Sequence, residues 1–147
     1  MQTTLDERIA SWLETPRGFA LALAALLLAI GATLFMRLDA GPVEHTTERR
    51  VMKVVDHMVD SGDWLVPMKD GAPRLEKPPL YYWMATLASE AVGDAMTPGT
   101  LRFPSALMGL LMVVLGTWWA YSIGGRRLAL LTALSMLGMM HFFTIAR

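Results

Sequence analysis

Three long stretches free of Asp, Glu, Lys and Arg leave this chain few ways to fold. They run from Gly18 to Met36, from Phe103 to Ile123 and from Leu128 to Ala146. Each approaches the roughly 20 residues a helix needs to cross a hydrocarbon core of about 30 Å. In lipid the backbone amides must find partners within their own segment, so each window is expected to be a transmembrane helix. The fold class is therefore read as an all-α polytopic membrane protein: three transmembrane helices (18–36, 103–123, 128–146) and a long external loop (37–102). A cleaved signal peptide is the rival reading of the first window, which is opened by Arg17 and closed by Arg37. The apolar run exceeds the ~7 to 15 residues of a signal-peptide core, and no A-x-A-like site follows promptly.

Orientation follows from Gly124-Gly125-Arg126-Arg127, the short connection between the second and third windows. Basic residues in short loops stay on the cytoplasmic side. That puts the N-terminus in the cytoplasm and residues 37–102 outside. Trp118, Trp119 and Tyr121 collect toward the cytoplasmic end of the second window as interface anchors. Over half of the residues are apolar, and 13 basic residues balance 13 acidic ones. The balanced charge gives no electrostatic case for nucleic acid. With no cysteine there is neither a disulfide framework nor thiolate chemistry.

Residues 1–17 read as a cytoplasmic amphipathic helix, with Ile9, Trp12 and Leu13 on one side. Ala20-x-x-x-Ala24 and Ser105-x-x-x-Gly109 offer small-residue faces for helix packing. Beyond Gly41-Pro42, residues Val51, Val54, Val55, Met58 and Val59 recur at helical spacing, which predicts a juxtamembrane helix over about 46–60 lying along the membrane surface. A second such helix is expected over about 80–92, after Pro78-Pro79. Between them lies the polar, proline-marked stretch Ser61–Trp83. Its turn signals Gly62-Asp63 and Asp70-Gly71 bracket a short run, Trp64 to Val66, that Pro67 demotes to an edge or single strand. Thr97-Pro98-Gly99 reads as the turn back toward the membrane, and His141 is an intramembrane candidate near the outer end of the third window.

The external segment offers carboxylates (Glu44, Glu48, Asp63, Glu76), cations (Arg49, Arg50, Lys77) and aromatics (Trp64, Tyr81, Tyr82, Trp83). That mixture suits a substrate with a phosphate head and a lipid tail. Cations neutralise the phosphate, aromatics face the headgroup zone, and a carboxylate can act as general base. A receptor or structural loop accounts for the same composition. There is no P-loop, dinucleotide glycine pattern, His/Cys metal spacing or nucleophile elbow.

The order Glu48-x-Arg50, Ser61-Gly62-Asp63-Trp64-Leu65-Val66-Pro67, Gly71 and Glu76-Lys77-Pro78-Pro79-Leu80-Tyr81-Tyr82-Trp83 resembles the first external loop of the GT-C membrane glycosyltransferases. The nearest branch is the ArnT-like aminoarabinose transferase and protein-mannosyltransferase-like group. Leu101-Arg102-Phe103-Pro104-Ser105-Ala106 and the terminal Phe142-Phe143-x-x-Ala146-Arg147 are similar to that group as well, so the likeness spans roughly residues 37–147.

The resemblance implies the N-terminal part of a GT-C fold: a polytopic inner-membrane enzyme that moves a sugar from a polyprenyl-phosphate carrier to a lipid or protein acceptor at the periplasmic face. No nucleotide sugar is used. It implies Glu48 as the catalytic base and Arg50 and Lys77 as ligands of the carrier phosphate; Tyr81 and Tyr82, aromatics that face the headgroup zone, are expected as further substrate contacts. Glu76 would be a ligand if a divalent metal takes part, with the completing histidines beyond Arg147. The family opens this helix with an Asp-Glu pair, and here Thr47 stands at the Asp position. Either Glu48 takes over, or Glu44 serves, or the chain is a non-catalytic module that binds a lipid-linked phosphate or a partner subunit. Three spans around so elaborate a loop also read as a fragment, inactive alone.

Overall fold

The structure, a computed structural model, describes residues 4–36, 38–41, 43, 46–75, 78–93 and 96–145, without the side chains of residues 5, 6, 46, 47 and 140–145. In chain order its elements are α1 (Leu5–Glu14), α2 (Pro16–Phe35), α3 (Thr46–Ser61), β1 (Met68–Lys69), β2 (Ala72–Pro73), α4 (Leu80–Val92) and α5 (Pro98–Ile145). They form two compact units, Met1–Met36 with Gly109–Arg147, and Arg37–Met108.

In the first unit, Thr4 and Glu7 close a capping box at the start of α1. Thr15 then ends α1 and caps α2, its Oγ1 accepting from the Gly18 N–H at 3.0 Å. Pro16 sits just inside α2, where its missing N–H costs nothing. The joint is tight at Gly18, because a Cβ there would lie 2.0 Å from the Trp12 carbonyl oxygen. Among the described residues two helices are long and apolar enough to cross a membrane, Pro16–Phe35 and the part of α5 from Pro98 to Met139.

Within α5, Gly125 has φ 68 and ψ −158, which no helical residue adopts. In a straight helix Gly116 and Met136 would stand about 30 Å apart at 1.5 Å per residue. Instead a Cβ on Gly116 would lie 3.0 Å from Met136 Cε. The chain therefore reverses at Gly125, and the two halves of α5 pack on each other. Ala120, Ala129 and Ala133 are buried, small side chains of the kind that let helix backbones approach closely. Ala20 and Ala24 are exposed, so the small face expected on α2 is not used within this unit.

The second unit has a core of its own. Val51, Val54, Val55 and Met58 of α3 pack with Tyr82 and Ala85 of α4 and Leu101 of α5. Most of the apolar stripe of α3 thus faces α4 and α5. Protein side chains cover Val51, Val54, Val55 and Met58, each contributing about 1.5–3 kcal/mol relative to exposure, while Val59 stays exposed.

Asp70 (φ 51) and Gly71 (φ 81) both take positive φ, as a two-residue hairpin turn requires, and join β1 to β2 with Met68 opposite Pro73. The strand thus falls after Pro67 and not on Trp64–Val66. There Asp63 Oδ1 accepts from the Leu65 and Val66 amides at 3.0 and 3.4 Å, folding the run into a side-chain-capped turn. The indole of Trp83 donates to the Trp64 carbonyl at 2.6 Å and ties that turn to α4.

Thr97-Pro98-Gly99 starts a helix. Thr97 and Thr100 cap each other reciprocally, through Thr100 N–H to Thr97 Oγ1 at 3.2 Å and Thr97 N–H to Thr100 Oγ1 at 2.9 Å. Pro98 occupies the first turn of α5, where its fixed φ is favourable.

Candidate functional site

A cleft of about 490 Å³ in the second unit is lined by Glu48, Val51, Pro78, Leu80, Tyr81, Tyr82 and Ser105. Its walls are mostly apolar, with one carboxylate and three hydroxyl-bearing side chains. That composition can hold a lipid-linked ligand by its apolar part and orient its polar part.

Glu48 stands in the first turn of α3 and faces Arg102 of α5. Arg102 Nε donates to Glu48 Oε1 at 2.9 Å and Nη2 to Oε2 at 3.2 Å, a two-point pair that fixes the plane of the carboxylate. The two side chains are 22% and 24% exposed, so water screens the pair only in part. Arg102 Nη1 also donates to the carbonyls of Leu38 and Ala40 at 3.0 and 3.1 Å. Between those carbonyls Asp39 caps α5, its Oδ1 accepting from the Gly99 N–H at 2.7 Å. Gly99 has no room for a Cβ, which would lie 2.5 Å from that same oxygen. Residues 38–40, the start of α3 and the start of α5 thus meet at Arg102.

Tyr81 donates its hydroxyl to the Leu101 carbonyl at 2.7 Å, and Ser105 Oγ lies 3.5 Å from the same hydroxyl. Tyr81 therefore ties α4 to α5 while lining the cleft. Tyr82 is only 2% exposed and belongs to the core. It also borders the cleft, and among the described residues its hydroxyl makes no hydrogen bond.

Of the residues singled out by sequence, the structure brings Glu48, Tyr81 and Tyr82 to one cleft. Arg50 is exposed and, among the described residues, forms no ion pair. Two positions beyond Glu48 on α3, it is about 200° further round the helix, so the two side chains do not share a face. Glu76, Lys77 and Glu44 lie outside the described residues, as do the side chains of Thr47 and His141. Among the described residues no group of three or more His, Asp or Glu could hold a metal ion.

Arg102 is the residue that sequence reasoning passed over. In the sequence it is one letter of Leu101-Arg102-Phe103-Pro104, yet a cation directly before an apolar span needs a partner. That signal could have paired it with a carboxylate upstream.

A family model described as dolichyl-phosphate-mannose-protein mannosyltransferase matches residues 43–147. The chain belongs to this mannosyltransferase family. Among its curated relatives, an undecaprenyl phosphate-alpha-4-amino-4-deoxy-L-arabinose arabinosyl transferase of Aeromonas salmonicida is 33% identical over 109 residues, covering 74% of this chain and 20% of the relative. Proteins of the same name from Sodalis glossinidius (numbered 1 there) and Yersinia enterocolitica are each 29% identical over 130 residues, covering 88% of this chain and 23% of theirs. The chain thus spans about a fifth of the length of the curated relatives it matches. No solved structure matches it. All the residues lining the cleft fall within the span matched by the mannosyltransferase family model.

Proposed function

We propose that the protein serves an integral-membrane glycosyltransferase that takes a sugar from a polyprenyl-phosphate carrier and passes it to a lipid or protein acceptor at the periplasmic face of a bacterial inner membrane. The observation that carries this reading is the cleft that joins Glu48 to Tyr81, Tyr82 and Ser105 against apolar walls. The relatives support it through the undecaprenyl phosphate-linked aminosugar in their names.

In this reading α2 and the two halves of α5 make three crossings, with the arginine-bearing reversal at Gly125 and the N-terminus in the cytoplasm, and residues 37–102 outside. Glu48 is the catalytic carboxylate, held in one orientation by Arg102. Arg50 and Lys77 bind the carrier phosphate, and Tyr81 and Tyr82 contact the substrate. Glu76 is kept as a ligand should a divalent metal take part.

Membranes expressing the gene, with whatever coding sequence follows Arg147, are supplied with labelled undecaprenyl-phosphate sugar. Transfer to an endogenous acceptor is expected, with KM for the donor raised about tenfold or more in Lys77→Ala through loss of a charge-assisted phosphate contact. An unchanged KM removes Lys77 from the site.

The second reading is a non-catalytic module that holds a lipid-linked phosphate or a partner subunit. Thr47, standing where the family carries an aspartate, favours it. Carrier binding without transfer is the result that would select it.

A further inference from the structure

The first unit contains a second groove that the reading above does not use. It has a volume of about 390 Å³ and runs between α1 and the half of α5 that follows Gly125. Its apolar walls are Leu13, Leu130 and Leu131, and its polar rim is Glu14, Arg126 and Arg127. Glu14 engages both arginines: Arg126 Nη1 donates to its backbone carbonyl and Arg127 Nη2 to its carboxylate. One carboxylate against two guanidinium groups leaves the rim with a net charge of +1.

The surroundings are those of a membrane interface. Trp118 and Trp119 are 66% and 64% exposed. Phe19 stacks on Tyr121 at 5.6 Å between ring centroids, with the Arg126 guanidinium 6.0 Å from the Phe19 ring. On α1, Ile9 and Trp12 keep their apolar surface outward. Aromatic side chains of this kind settle at headgroup level, where their amphipathic rings meet both lipid and water. The groove therefore pairs a cationic rim with walls that suit an acyl chain, at the end of the helices that carries the interface aromatics.

We propose that this groove binds an anionic glycerophospholipid, its phosphate between Arg126 and Arg127 and an acyl chain along Leu130 and Leu131. The charge decides the class. A phosphodiester with no compensating cation carries one negative charge and matches the rim, whereas a zwitterionic headgroup brings its own ammonium and gains nothing from it. Arginine holds two phosphate oxygens at once, which lysine cannot, and two adjacent guanidinium groups suit a phosphate shared between them. Basic pockets between helices at a membrane surface are a recurrent way of holding such headgroups. Glu14 competes with the lipid for the same two cations.

The test uses the full chain purified in a neutral detergent. Native mass spectrometry counts bound lipid as phosphatidylglycerol is titrated against phosphatidylcholine, with inorganic phosphate as a third arm. Phosphatidylglycerol is expected to bind with saturation and phosphatidylcholine about thirtyfold more weakly, at roughly a factor of five per arginine near the headgroup. Removing both rim cations in Arg126→Gln/Arg127→Gln should erase that preference. Should the double variant lose helix content by circular dichroism, Arg127→Gln alone serves, because its side chain is 80% exposed, and it should weaken binding about fivefold. Glu14→Gln should tighten it.

Arg8→Gln changes net charge by the same amount on an exposed position outside the groove and should leave binding unchanged. An equal loss in Arg8→Gln and Arg127→Gln would mean charge adsorption alone and would overturn the proposal. So would phosphatidylcholine binding as well as phosphatidylglycerol. Displacement of the lipid by millimolar inorganic phosphate would show that the acyl chain contributes nothing, and would also overturn it.

Discussion

The two units bury their apolar residues in opposite ways. In Arg37–Met108, Val51, Val54, Val55 and Met58 of α3 are covered by protein, and Glu48, Lys53 and Asp70 form ion pairs on the surface. In the unit built from α2 and most of α5, leucines stay uncovered, with Leu28 73% and Leu115 61% exposed, and the buried positions go largely to alanine and other small residues. One unit is thus packed around a core of large apolar side chains, the other as long helices that leave most of theirs uncovered. The same composition of Leu, Val and Met does two jobs, and the spacing of charged residues decides which.

Substituting matched residues in the two units breaks the comparison most sharply. Met58→Ala empties a fully buried site in α3 and should destabilise its unit by about 2–5 kcal/mol. Leu115→Ala, on an uncovered face, should stay within about 0.5 kcal/mol. Thermal unfolding of the gene product in detergent, followed by proteolysis of the 37–108 region, separates the two. Equal effects would mean that the cores are not organised as described.

Next in size is Arg102→Ala. It removes the partner of Glu48 and the donor to Leu38 and Ala40 together. A buried ion pair broken on one side costs more than this one, which is a quarter exposed, so a loss of about 1–3 kcal/mol is expected. The change should also free residues 38–40 to protease attack. Resistance like that of the wild type would show that the junction is held by other contacts.

How much of this was legible beforehand differs between the units too. Apolar runs free of charge and the 3.6-residue spacing of Val51, Val54, Val55 and Met58 can be read from the sequence, because both are one-dimensional patterns. What covers the α3 stripe could not be read, since Tyr82, Ala85 and Leu101 come to it from 24 to 50 positions away. Asp70-Gly71 announced its turn through local backbone chemistry, whereas the strand was expected one turn too early, on Trp64–Val66. There Asp63 satisfies the amides that a strand would have paired. Likewise Thr97-Pro98-Gly99 has turn composition, but reciprocal threonine capping makes it a helix start. Glu48, Tyr81 and Tyr82 stand out in the sequence as a carboxylate and aromatics of the external segment, and Glu48 also by likeness to known loops. The Arg102 contact was missed because it links residues 54 apart.

The smallest expected effect lies at the hairpin. Asp70 is held below the ordinary carboxylate value of 3.8, first by the hydrogen bond from Lys69 and then by that from Lys53. A depressed folded-state value means that this group's contribution is present above the unfolded value and is lost as pH falls through the lower folded one. Asp70 and Lys53 are well exposed, so Asp70→Asn should shift the melting temperature barely at pH 7 and less still in high salt. A large shift would mean that the hairpin is held to α3 by its charges more than by its fold.

The most direct test of the central claim, that the cleft of residues 37–108 is where the chemistry lies, is the rate of sugar transfer from labelled undecaprenyl-phosphate sugar by membranes carrying Glu48→Gln. The substitution keeps the size of the side chain but removes its charge and one of the two oxygens that accept from Arg102. The account predicts a fall in turnover of about 100-fold or more with protein level and protease resistance unchanged. Transfer at the wild-type rate would contradict it.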